Sequence, residues 1–286
     1  MSSRILPKFE LFMPESIEQV VDCLGKHGNK AAVMAGGTDL MVRMKSGFSP
    51  EYVVSLSNVP GLDHVIYDED KGLTIGAMAT LNQVLESRDV KDNYPALHKS
   101  AYENGTEQTR NVATVVGNIL NASPAGDCAC AILALGGYVV LHGPDGSRQV
   151  NIDDFWINYR ETEKKTDEFA VEVVIHPSKN SKSSFSALTR TKKDLAKINA
   201  AAAITMEKNI CSKARLAMGA VGPTHIRLKK CEALLEGHEI NDDILERIVE
   251  LAPTEINPID DVRSSAEYRR SVSGVLMKKV IKEILS

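Results

Sequence analysis

Two adjacent glycines near the N-terminus follow an apolar run and could present backbone donors to an anionic ligand. Residues 32–34 predict a short buried strand, and Gly36-Gly37 predicts a sharp turn directly after it. Thr38-Asp39 then predicts the start of a helix. A loop between a strand and a helix leaves N–H groups unpaired, and such groups bind phosphate. The same pattern also fits an ordinary turn in which Thr38 is the helix N-cap.

A second stretch rich in small residues, at positions 110–127, could contribute to the same kind of site. Residues 114–118 predict another glycine turn, and Ser123-Pro124 predicts the N-cap and first residue of a helix. Asp127 falls in the first turn of that helix, where it could complement the helix dipole or accept hydrogen bonds from ribose hydroxyls. Two glycine turns and a carboxylate suit a dinucleotide, with one loop for each side of the pyrophosphate.

Composition disfavours several other classes of protein. The chain has 286 residues, a net charge of -4 and 5% aromatic residues, which argues against a nucleic-acid-binding surface. The longest apolar run, residues 128–141, is too short to span a membrane. The N-terminus lacks a signal-peptide pattern, and the five irregularly spaced cysteines fit a reducing compartment. We therefore expect a cytoplasmic protein without a membrane span.

Known nucleotide and metal motifs are absent from the sequence. It contains neither GxGxxG nor GxxxxGK[ST], which argues against a Rossmann or P-loop site. The histidines are scattered, and Cys128 and Cys130 would face different sides of a helix. We therefore expect no metal site on this chain.

The order of predicted elements indicates two domains of the α+β class. The polar run at residues 178–184 predicts the seam between them, giving a first domain at 1–177 and a second at 178–286. In the second domain, strand patterns come first and helical patterns follow. This order predicts an antiparallel sheet covered by helices.

Several short motifs follow one another over nearly the whole chain. They are VMAGGTDL at 33–40, LTIGA at 73–77, RNVAT at 110–114, GNI at 117–119, RTKKDLAK at 190–197, LAMGAVGPT at 216–224 and SSAEYR at 264–269. Each motif is weak alone, but the ordered set resembles the FAD-binding medium subunit of the molybdenum hydroxylases, the family of xanthine dehydrogenase and carbon monoxide dehydrogenase. The resemblance implies a two-subdomain FAD-binding domain of the p-cresol methylhydroxylase/vanillyl-alcohol oxidase type, followed by a smaller α+β domain.

The resemblance also implies which residues would hold a noncovalent FAD. The two glycine stretches would line the pyrophosphate, Asp127 would bind ribityl or ribose hydroxyls, and the backbone near Val171 would approach the isoalloxazine. Relatives carry a lysine shortly before the arginine that matches Arg190, whereas this chain has Ser186-Ala187-Leu188. That difference leaves Lys192, Asp194 or Lys197 for the pyrimidine edge. The implied FAD-binding residues are Val33, Met34, Ala35, Gly36, Gly37, Thr38, Asp39, Leu40, Thr114, Val115, Val116, Gly117, Asn118, Asp127, Val171, Asp194 and Lys197.

The function implied by the resemblance is electron transfer through FAD. A large molybdopterin-binding subunit would hydroxylate an N-heterocycle, aldehyde or purine, and a small subunit with [2Fe-2S] clusters would pass electrons to FAD on this chain. The final acceptor would be NAD or another oxidant, and no residue here would be a catalytic acid or base. Two alternatives remain open: a stand-alone flavin-dependent oxidoreductase of the same fold, and a non-redox nucleotide-binding assembly subunit.

Overall fold

The computed structural model describes residues 5–286, and its strands form three larger sheets and one two-stranded ribbon. The strands are β1 Glu10–Phe12, β2 Ala31–Met34, β3 Tyr52–Ser55, β4 Val65–Asp68, β5 Gly72–Gly76, β6 Gly137–Gly143, β7 Gly146–Asn151, β8 Trp156–Asn158, β9 Glu161–Thr162, β10 Phe169–Ile175, β11 Ser181–Leu188, β12 Ile198–Glu207, β13 Ile210–Gly219 and β14 Ile226–Arg227.

Helices cover these sheets and connect them. The α-helices are α1 Ile17–His27, α2 Leu40–Lys45, α3 Leu81–Glu86, α4 Arg88–Asn93, α5 Pro95–Glu103, α6 Glu107–Arg110, α7 Val115–Leu120, α8 Asp127–Leu135, α9 Lys229–Leu235, α10 Asp242–Leu251 and α11 Ala266–Leu285. Short 3-10 turns lie at Gly28–Lys30, Ile152–Asp154 and Ala252–Thr254. Over residues 5–286, no helix combines the length and apolar character needed to cross a membrane.

The sheet topology confirms the predicted α+β class. The first sheet is parallel with the order β1-β3-β2, and the second is antiparallel with the order β4-β5-β10-β6-β7. The third sheet, β11-β12-β13-β14, is antiparallel and comes from the second half of the chain, where helices follow the strands. The N-terminal region therefore contains two subdomains, and the C-terminal region is a sheet covered by helices, as the sequence predicted.

Helix α8 lies between the two halves of the molecule. All of its residues except Leu135 are buried. It packs against α5 and α7 from the N-terminal half and against β12 and β13 from the C-terminal half. A helix that is apolar all round must be buried all round. The continuous apolar run that begins at Cys128 accounts for this burial.

The third sheet is buried on both faces because its small residues alternate between two cores. Ala201 and Ala217 pack into the hydrophobic core built mostly by the N-terminal half. Ala200 and Ala202 pack into a separate hydrophobic core built by the C-terminal half. Successive side chains in a strand point to opposite faces, so one alanine-rich strand can contact both cores. This arrangement fixes the C-terminal half close against α8.

The polar run at residues 178–184 is partly regular structure. Strand β11 begins at Ser181, so much of the predicted seam is regular structure, and Ser183 is buried. The Ser183 hydroxyl accepts a hydrogen bond of 3.2 Å from the backbone N–H of Ala96, in the first turn of α5. This hydrogen bond satisfies the buried serine hydroxyl, so a polar side chain is tolerated at this position of the strand.

Charged side chains also connect the two halves at the end of α8. Arg215 donates to the carbonyls of Leu133 and Ala134 at 2.8 Å and 3.1 Å, and to Asp153 at 3.0 Å. A cation near a helix C-terminus is favourable because the terminal carbonyls carry partial negative charge. Both ends of α8 therefore contact the C-terminal half of the chain.

Candidate functional site

The first glycine stretch forms the predicted loop between a strand and a helix. Strand β2 ends at Met34 and α2 begins at Leu40. Gly37 has φ of +70°, in the left-handed region that favours glycine. At Gly36, a Cβ would lie 1.6 Å from the carbonyl oxygen of Val112. Position 36 therefore requires glycine, because the loop contacts the backbone at Val112, just before the second glycine stretch.

Backbone donors in this loop are available to a ligand. Within residues 5–286, the N–H groups of Gly37, Thr38 and Asp39 donate no hydrogen bond. All three residues line a cavity of about 430 Å³, which we call cavity 1. Unpaired N–H groups that line a cavity at the start of a helix suit a phosphate group. The loop therefore fits the pyrophosphate of a dinucleotide.

The second glycine stretch differs from the predicted turn. Thr114 is the N-cap of α7, and its hydroxyl accepts a 3.0 Å hydrogen bond from the N–H of Gly117. Gly117 and Asn118 thus lie inside a short helix, so the expectation of a second glycine corner was wrong. Val115 is fully buried and lies outside the lining of either cavity described here, whereas Thr114, Val116, Gly117 and Asn118 line cavity 1.

A second cavity of about 780 Å³ adjoins the first, and we call it cavity 2. It lies between the N-terminal half and loops of the C-terminal half. Both volumes are in the range of about 300–1,000 Å³ that is typical of small-molecule sites. The residues common to both linings are Asp39, Asn104, Asn118 and Asn121. The two cavities therefore form one elongated site with a polar junction.

Asp127 lies at the start of α8 and lines cavity 2. Its Oδ1 accepts a 2.6 Å hydrogen bond from Nδ2 of Asn199, a residue of β12. Burial raises the pKa of Asp127 from 3.8 to about 7, and the Asn199 hydrogen bond opposes that shift. The predicted N-cap at Ser123 and helix start at Pro124 were wrong, because Gly126 precedes the first helical residue.

The remaining predicted residues lie in different places. Val171 is the extra residue of a β-bulge between β10 and β6, and its carbonyl accepts a 2.9 Å hydrogen bond from Ala77. Asp194 lines cavity 2 and pairs with Arg190 at 2.8 Å. Lys197 lies outside the linings of both cavities, with its ammonium 5.4 Å from the ring centroid of Tyr268. The structure therefore brings Asp194, but not Lys197, to the cavities.

Sequence reasoning missed two polar residues near the junction. Arg160 donates a 3.1 Å hydrogen bond from Nη1 to Oδ1 of Asn121. The Arg160 and Arg43 guanidinium groups favour the charged form of Asp39, although desolvation raises the pKa of this carboxyl overall. Asn121 belongs to the small-residue stretch and could have been found there. Arg160 carried no comparable signal, because it lies in the turn between β8 and β9, far from the glycine stretches in sequence. Its backbone φ there is +57°.

Comparison with known families identifies the class of protein as a flavoprotein. The family described as FAD binding domain in molybdopterin dehydrogenase matches residues 7–178, and that described as CO dehydrogenase flavoprotein C-terminal domain matches residues 183–284. Because the first match covers more than half of the chain, the protein belongs to the FAD-binding subunits of the molybdenum hydroxylase family. It is thus an oxidoreductase subunit, as the motifs predicted.

Individual relatives agree with this assignment over nearly their full lengths. The chain is 29% identical over 279 residues to the glyceraldehyde dehydrogenase medium chain of Sulfolobus acidocaldarius, covering 97% of this chain and 99% of that one. It is 28% identical over 286 residues to the nicotinate dehydrogenase FAD-subunit of Eubacterium barkeri, with coverage of 97% and 96%.

A solved structure also matches the whole fold. Carbon monoxide dehydrogenase from Hydrogenophaga pseudoflava, in a form that lacks the Mo-pyranopterin moiety of the molybdenum cofactor, superposes with a TM-score of 0.94. The sequences are 27% identical, and the match covers 98% of each chain. The architecture described above is therefore shared by a chain of that enzyme.

We predict that Gly36→Ala lowers FAD content in the purified protein. Its Cβ would collide with the Val112 carbonyl oxygen, so the first loop would have to move away from the chain leading into α7. Gly25→Ala is the matched control, because a Cβ at this position in α1 has no heavy atom within 4 Å. Flavin absorbance per protein checks the prediction, and equal flavin content in the two variants would contradict it.

We also predict that Asp127→Asn changes the pH dependence of stability in the flavin-free protein. The raised pKa means that the folded state holds the Asp127 proton more tightly than the unfolded state does. This carboxyl therefore makes the wild type lose stability as pH rises from 3.8 to about 7, with no further loss above that range. The variant lacks this contribution. Denaturant unfolding at several pH values should show its relative stability rising across that window, and parallel profiles would refute the prediction.

Proposed function

We propose that this chain binds FAD across both cavities and acts as an electron-transfer subunit of a larger molybdenum-containing dehydrogenase. The observation that carries the proposal is the pair of adjoining cavities with unpaired N–H groups at Gly37, Thr38 and Asp39. A dinucleotide has two bulky halves joined by a charged pyrophosphate. This site likewise has two cavities that meet at a polar junction.

The sizes and linings of the two cavities favour one orientation of the dinucleotide. Cavity 1 is smaller and includes apolar side chains such as Leu56 and Phe169, which suits an adenine ring. Cavity 2 is larger and reaches loops of the C-terminal half, so a flavin ring there could meet a second reactant. We therefore assign the AMP half to cavity 1, the flavin half to cavity 2 and the pyrophosphate to the polar junction between them.

The residues of this chain would bind and orient the cofactor. When bound, FAD supplies the redox chemistry by accepting electrons and passing them on. In this orientation, the loop at Gly37–Asp39 and the first turn of α7 hold the pyrophosphate, whereas Asp127 accepts a hydroxyl hydrogen bond from the sugar or ribityl chain. Asp194 lies beside the flavin half, whereas Val171 and Lys197 lie outside the linings of both cavities.

The partners in this proposal follow from the relatives. The matched proteins are a medium chain, an FAD-subunit and a carbon monoxide dehydrogenase in a form that lacks the Mo-pyranopterin moiety of the molybdenum cofactor. We propose that this chain likewise assembles with a large molybdopterin-binding subunit and a small [2Fe-2S] subunit, and that NAD or another oxidant is the acceptor. The free thiols of Cys23, Cys128, Cys130, Cys211 and Cys231 favour a cytoplasmic location.

Purification of the native protein tests this proposal. We expect FAD on this chain, together with molybdenum and iron in two co-purifying subunits. A lone yellow protein that turns over a small substrate would instead support a stand-alone flavin oxidoreductase. A colourless protein that takes up no added FAD would overturn the proposal and would favour a non-redox assembly subunit.

A further inference from the structure

Cavity 1 contains a lysine that the sequence motifs did not indicate. Lys164 lies between β9 and β10, is partly buried and lines cavity 1. Its ammonium donates hydrogen bonds to the backbone carbonyls of Lys165 at 2.7 Å and Glu168 at 3.2 Å. An ammonium has three donors, so these contacts leave one N–H available.

The charge of Lys164 is not neutralised by an ion pair within residues 5–286. The nearby Glu168 carboxylate is already engaged, because it accepts hydrogen bonds from Arg148 at 2.7 Å and 2.8 Å. It also accepts one from the Lys165 backbone N–H at 2.8 Å. Desolvation lowers the pKa of Lys164, and the charges of Glu168 and Asp167 only partly oppose this. A partly buried cation without a paired carboxylate is costly unless a ligand compensates it.

The other charged groups in cavity 1 already have counterparts. Arg43 lies 4.5 Å from the ring centroid of Phe48, and its charge acts on Asp39. Asp39 and Arg43 therefore offset each other, and Lys164 leaves the cavity with an uncompensated positive charge. An anionic or acceptor-rich ligand fits that balance better than a neutral apolar one.

We propose that the Lys164 ammonium binds the AMP half of the dinucleotide and contributes to the selection of FAD over FMN. This inference rests on the proposed function, because it assigns the AMP half to cavity 1. FMN lacks the AMP half, so Lys164 would add affinity only for ligands that contain it. The glycine loop would bind pyrophosphate through its backbone, and Lys164 would supply side-chain recognition farther along the cavity.

The test compares Lys164→Met with Lys165→Met in the full-length chain stripped of flavin. Lys165 is the adjacent residue, is exposed and lies outside the lining of cavity 1, so its variant removes the same charge from the surface. Calorimetric titration with ADP, FAD and FMN measures each affinity. Lys164→Met should weaken ADP and FAD binding by roughly tenfold or more, the loss expected for a charge-assisted hydrogen bond, and should leave FMN affinity unchanged.

A folding control and a third variant separate a loss of binding from a loss of folding. Thermal unfolding verifies that both variants fold, and Lys164→Gln, which removes the charge but keeps a donor, should also weaken ADP binding. Equal ADP affinity in Lys164→Met and Lys165→Met would overturn the inference, as would a loss confined to FMN. If the wild type binds FAD while the two variants behave alike, only this inference fails. If the wild type binds no FAD, the proposed function itself fails.

Discussion

The structure depends on the complete burial of one apolar helix between two halves of the chain. Helix α8 can be shielded from water only if α5 and α7 cover part of it and β12 and β13 cover the rest. That requirement brings a C-terminal sheet against an N-terminal core. It also fixes the position of Asp127 at the beginning of the helix, beside the cleft that the two halves form.

Close backbone contact determines the other side of the site. Gly36 touches the Val112 backbone, and Thr114 caps α7 two residues later. The loop after β2 and the chain leading into α7 are therefore in direct backbone contact. Donors that are positioned before binding lose little conformational entropy when a ligand arrives. In the proposed function, this preorganisation would let two short segments with few charges hold a charged pyrophosphate.

Much of the fold and part of the site could be predicted from the sequence, for physical reasons that differ between segments. The loop at Gly36-Gly37 and the buried helix α8 have strong local signals, namely adjacent glycines and a continuous apolar run. Helix α7 has a weak signal, because valines and a glycine favour helix poorly and tertiary packing of Val115 supplies the stability. Contacts such as Asn199 to Asp127 join residues far apart in sequence, so no local pattern could reveal them.

A structure of the FAD-bound protein would show whether the loop after β2 holds the pyrophosphate. We expect the pyrophosphate oxygens to lie about 2.7–3.2 Å from the backbone nitrogens of Gly37, Thr38 or Asp39, the usual hydrogen-bond range. We also expect the adenine in cavity 1 and the isoalloxazine in cavity 2. A pyrophosphate away from this loop, or an adenine in cavity 2, would contradict this assignment.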